Sequence, residues 1–173
     1  ERLVERVRLI KDGAELDTLR EAGRRLGRLA LQVPGFVQEG RTERAIAADI
    51  DEAIRGAGFS RPAFETIVAS GPNSALPHAR PTDRRVGTGE PTVLDFGGVY
   101  DGYCVDLTRT VQLGAVSDRQ ARLYAAVREA QDAAIQAGDP KTAVAAVDGA
   151  ARVFDIDATP LKSAALAAIG KTA

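Results

Sequence analysis

The chain has 173 residues, 45% of them hydrophobic, and sets 23 Lys and Arg against 24 Asp and Glu for a formal net charge of −1. That length supports one compact domain with a sizeable core and is short for two. The balanced charge gives no basic field for nucleic acid or an anionic membrane, and no run of about 18 apolar residues marks a membrane span. Cys104 is the single cysteine, so no internal disulfide forms, and a reducing, cytoplasmic setting is the expectation. The charged start "ERLVERVRLIKD" has no signal-peptide core, and the absence of methionine reads as a processed or excised piece.

In chain order, Leu16, Leu19, Ala22, Leu26, Leu29 and Val33 recur at three- and four-residue steps and predict an amphipathic helix from about Ala14 to Val33. A second helix is predicted from an N-cap at Thr42 through Ile46, Ile50 and Ile54 to a stop near Gly58. "FETIVASG" reads as a buried strand, and "GPNSALPHARP" as an irregular, proline-bounded loop.

The segment "LDFGGVYDGYCVD", Leu94 to Asp106, then reads as a β-hairpin. With Tyr100-Asp101 as its two-residue loop, Asp95 lies opposite Asp106. With Asp101-Gly102, which type I′ turns prefer, Asp95 lies opposite Thr108 and Asp106 opposite Gly97. Either register puts both aspartates on one face, while a bulged three-residue loop would break the parity. Leu94, Phe96, Tyr103, Val105 and Leu107 fall on the other face, suited to a core. Crowded carboxylates share a proton, stay solvated or bind a cation, and two ordinary surface aspartates fit the spacing as well.

Beyond the hairpin, Ser117 and Gln120 form a capping box for a helix through Leu123, Val127 and Ala130. Asp139 and Pro140 are placed to start another, and a short Ala-rich helix is predicted from Pro160 to Gly170. This order predicts an α+β domain with helices covering one face of an antiparallel sheet.

"ASGPNSALPHARP" followed by "VLDFGGVYDGYCVDLTRTVQLG" closely resembles the pita-bread metallopeptidases, in particular their prolidase and aminopeptidase P branch. The resemblance runs from about Val7 to Val153. It implies an incomplete pita-bread fold, with residues 1–154 the first half of a peptidase domain and 155–173 a divergent helical tail. It further implies that Asp95 and Asp106 bind divalent metal, two ions in the complete family site, and that His78 contacts substrate near the scissile bond. Carboxylate ligands suit Mn²⁺-like ions, with Zn²⁺ and Co²⁺ as alternatives. The implied substrates are Xaa-Pro dipeptides or peptides, cleaved by a metal-activated water with the metals stabilising the oxyanion.

Read without that resemblance, His78 is a surface or hydrogen-bonded loop histidine, Cys104 a small packed thiol, and Arg109 one half of a structural ion pair. The family site also uses a second histidine and two later glutamates. Here His78 is the sole histidine and Glu129 the last glutamate, so three of five ligands have no counterpart. The expectation is a chain derived from an Xaa-Pro peptidase and inactive alone, completed by homodimerisation or a missing half. The alternative is a non-catalytic peptide-binding or assembly module.

Overall fold

A computed structural model of the chain describes residues 3–76 and 78–137. Four helices occur among them: α1 (Leu3–Leu9), α2 (Gly13–Ala30), α3 (Glu43–Gly56) and α4 (Asp118–Ala137). Four strands form one antiparallel sheet: β1 (Arg61–Pro62), β2 (Ile67–Ser70), β3 (Pro91–Tyr100) and β4 (Tyr103–Gln112). The helix starts expected at Asp139 and Pro160, and the division at 154, lie outside the described residues.

Helix α2 begins one residue before the predicted start, because Asp12 and Glu15 close a reciprocal capping box: Glu15 N–H donates to Asp12 Oδ1 at 2.9 Å and Asp12 N–H to Glu15 Oε2 at 2.8 Å. It ends at Ala30 rather than Val33, since Pro34 redirects the chain into a short 3₁₀ segment, Val33–Phe36. Its predicted stripe is the buried one from Ala22 onward, whereas Leu16 remains exposed near the helix start. Thr42 caps α3 as predicted, accepting from Ala45 N–H at 3.2 Å.

Strand β3 is central, with β1 and β2 along one edge and β4 along the other. Helices α2 and α3 pack on one face of this sheet, the expected α+β arrangement, and bury Leu26, Leu29, Ile46, Ile50 and Ile54 against Val68, Leu94 and Phe96. The hairpin takes the Asp101-Gly102 loop. Tyr100 pairs with Tyr103, Asp95 with Thr108 and Gly97 with Asp106. Asp101 at φ 47° and Gly102 at φ 82° supply the two positive φ angles of a type I′ turn, whose twist matches that of the strands it joins. The register that would set Asp95 directly opposite Asp106 is therefore not adopted.

Alternation assigns the faces as predicted. Leu94 and Phe96 are fully buried, and Tyr103, Val105 and Leu107 are half-buried over the core. Ser117 and Gln120 form the predicted capping box of α4, Gln120 N–H donating to Ser117 Oγ at 3.3 Å and Ser117 N–H to Gln120 Oε1 at 2.9 Å. No described helix is long and apolar enough to cross a membrane.

Candidate metal centre

The face of the hairpin turned away from the helices carries Asp95, Gly97, Cys104, Asp106 and Thr108. Directly opposed residues share a face, so Thr108 stands across from Asp95, and Asp106 lies diagonally from it, two pairs further along the ladder. Asp95 is half-buried and Asp106 exposed. Thr108 Oγ1 donates to Asp95 Oδ1 at 2.7 Å, which fixes the rotation of that carboxylate.

Gly97, the residue opposite Asp106, has a packing reason to be glycine. A Cβ there would strike the carbonyl of Val105 and come within 2.9 Å of Phe64 Cε1. The Phe64 ring thus closes over the hairpin beside the aspartates. It is a wall that no spacing in the sequence indicates, since Phe64 reaches this position through the bend between β1 and β2.

His78 lies in the turn after the 3₁₀ segment Gly71–Ala75 and is exposed. No hydrogen bond or ion pair joins it to Asp95 among the described residues. Cys104 is exposed rather than packed, because its side of the hairpin is the open one. Arg109 is exposed too. It donates to the Thr108 carbonyl at 2.8 Å and makes no ion pair among the described residues. The described residues contain no group of three or more His, Cys, Asp or Glu able to hold a metal ion.

One residue that sequence reasoning missed lies beneath the His78 loop. Glu43, the first residue of α3, is 0% exposed and forms no ion pair among the described residues. Its Oε1 accepts from Ser70 N–H at 2.7 Å, Ser70 Oγ at 2.8 Å and Asn73 Nδ2 at 3.0 Å. Its Oε2 accepts from Thr82 Oγ1 at 2.6 Å, Thr82 N–H at 3.0 Å and Asn73 Nδ2 at 3.1 Å. Burial pushes the carboxyl up, but the hydrogen bonds from Thr82, Ser70 and Asn73 outweigh it and hold the group below its usual range.

A lowered folded value means that the stability Glu43 contributes is complete above the unfolded carboxyl value, about 4.3, and disappears as pH falls through the folded one. Urea midpoints measured across the acid range should therefore fall more steeply for the wild type than for Glu43→Gln. Parallel curves would show that the carboxylate does not carry this acid dependence.

The profile of metallopeptidase family M24 matches residues 17–160. The chain belongs to metallopeptidase family M24. It is 42% identical over 151 residues to the "Probable dipeptidase PepE" of Mycobacterium tuberculosis, covering 87% of this chain and 40% of that protein. It is 33% identical over 150 residues to the Xaa-Pro dipeptidase of Pyrococcus furiosus, covering 87% of this chain and 43% of that one. The crystal structure of dipeptidase PepE from Mycobacterium ulcerans superposes with a TM-score of 0.79 at 39% identity, over 85% of this chain and 42% of that one. The M24 chain thus has the α+β pita-bread fold of these neighbours over the part it shares with them. It spans less than half the length of each of these relatives.

Proposed function

We propose that this M24 chain forms the first half of a metal-dependent site that hydrolyses Xaa-Pro dipeptides, with Asp95 and Asp106 as carboxylate ligands and His78 contacting the substrate. The single observation carrying this reading is the hairpin register, which presents both aspartates on one face away from the core. Diagonal neighbours on a sheet lie roughly 7–8 Å apart, a span two carboxylates can close around a cation between them.

The donor set fits a hard divalent ion. Both ligands are carboxylates, Thr108 holds one of them in place, and a Mn²⁺-like ion is the best match, with Zn²⁺ or Co²⁺ as alternatives. When bound, such ions lower the pKa of water and stabilise charge developing on a carbonyl oxygen. The chain's own residues prepare the place for this. Thr108 sets the angle of Asp95, and the glycine at position 97 lets the Phe64 ring stand as a wall beside the aspartates.

Two carboxylates leave a metal short of fixed ligands, so the chain alone binds metal weakly and is inactive. The outer edge of β4 pairs with no strand among the described residues, and we place there either a second half of the domain or a second copy of this chain. Residues 1–154 then constitute the half-domain and 155–173 a separate tail, in a reducing cytoplasmic setting. The alternative, a non-catalytic peptide-binding or assembly module, is favoured by the absence of a three-ligand cluster among the described residues.

Titration calorimetry with Mn²⁺ tests the metal assignment. The expected dissociation constant is about 1 mM, equivalent to about −4 kcal/mol. Asp106→Ala should weaken it by about tenfold or more, the scale on which metal sites respond to altered support. Equal binding by wild type and variant would remove Asp106 from the site.

A further inference from the structure

We propose that Glu43 is the positioning residue for His78, a buried carboxylate that closes the loop carrying the histidine at both of its ends. This rests on the reading of His78 as the substrate-contacting group.

Ser70 ends β2 and Thr82 begins the return of the chain, and both bind the same carboxylate through backbone N–H and side-chain hydroxyl. Asn73 spans the two oxygens from inside the loop. The base is firm, because Glu43 N–H donates to the Arg84 carbonyl at 3.0 Å and Arg44 N–H to the Thr82 carbonyl at 3.1 Å, so α3 and the returning chain are stapled together. Within the loop, Ser74 Oγ donates to the Gly71 carbonyl at 2.6 Å and Ala79 N–H to the Leu76 carbonyl at 3.3 Å. Ala79 is buried beside the exposed His78. A flexible loop of this length carries a closure cost that grows with its length, and a single group binding both ends offsets it.

The chemistry requires a carboxylate. All of its partners present donors, and only an ionised carboxylate offers acceptors on both atoms. Glu43→Gln keeps the shape but turns an NH₂ group toward donors, either those of Ser70 or those of Thr82. Asp is one methylene shorter and cannot reach both ends. A glutamate in the first turn of a helix also complements the helix dipole, so the same charge supports α3.

His78 is the only histidine, so its ring Hε1 gives one NMR signal that needs no assignment against others. The test uses the full chain, comparing wild type, Glu43→Gln and Thr66→Val. The last removes the 2.6 Å hydrogen bond from Thr66 to Asp51 elsewhere on α3 and serves as a control for general destabilisation. In Glu43→Gln, the amides of Ser70, Ala79 and Thr82 should exchange about tenfold faster or more, beyond any change in β3, as a local opening requires. The His78 signal should shift, and Thr66→Val should leave both readouts unchanged. A folded Glu43→Gln protein with unchanged loop exchange and His78 signal overturns the proposal, as does acceleration spread evenly over the sheet. If Glu43→Gln does not fold, Thr82→Val, which deletes one donor, is read in the same way. Adding Ala-Pro with Zn²⁺ to the wild type separates the two readings: no His78 response alongside a loosened Glu43→Gln loop retires the substrate role and keeps the latch.

Discussion

Purified on its own, the chain is expected to hydrolyse Xaa-Pro dipeptides no faster than buffer containing the same metal. The reason is geometric. Metal-assisted hydrolysis depends on ions held rigidly between several ligands, and the described residues place only two carboxylates on this face of the hairpin, one of them exposed. Losing about 4 kcal/mol of transition-state stabilisation lowers a rate by about a thousandfold, enough to sink it into the background. Discontinuous release of proline from Leu-Pro with Mn²⁺, Zn²⁺ or Co²⁺ measures this. Robust turnover by a monomer, abolished by Asp106→Ala, would mean that two aspartates suffice.

The largest stability effect is expected at Phe96. Its ring is fully buried, at the centre of β3 where the sheet meets α2 and α3, among side chains that are themselves buried and held by the sheet and helices. Phe96→Ala should cost about 3–5 kcal/mol, from lost transfer free energy plus the cavity that remains. Asp95→Asn, one residue earlier on the opposite face, should change stability by less than about 1 kcal/mol, because a half-exposed hydrogen bond contributes little net. Urea unfolding of the two variants checks the pair. A larger loss from Asp95→Asn than from Phe96→Ala would invert the assignment of the two faces of β3.

That assignment is legible in the sequence, because strand alternation needs only parity: Asp95 and Asp106 share a face in both candidate registers. The register itself follows from the preference of Asp-Gly for paired positive φ angles, which the Tyr100-Asp101 alternative lacks. Helix ends are legible where the cap is local, as at Thr42 and Ser117. The α2 start comes one residue earlier than the apolar spacing implies, because the Asp12–Glu15 box sets it and the apolar stripe does not.

What stays hidden depends on distant partners. A glutamate at the start of a helix is ordinary by itself, and Glu43 becomes a buried latch only because Ser70 and Thr82, 27 and 39 residues away, converge on it. Phe64 covers Gly97 through a tertiary approach that no periodicity encodes. Small thiols usually pack, which is why burial is the expectation for Cys104, yet its strand faces outward there. The hairpin can therefore nominate a site, while the side chains that hold and shield it emerge only from the packing.

Paramagnetic broadening by Mn²⁺ tests most directly whether Asp95 and Asp106 form one cation site. In amide spectra of the wild type titrated with Mn²⁺, broadening should appear first at Asp95, Gly97, Asp106 and Thr108, and disappear from that cluster in Asp106→Ala. Broadening that begins elsewhere, or spreads evenly over the surface carboxylates with the hairpin no more affected than the rest, would contradict it.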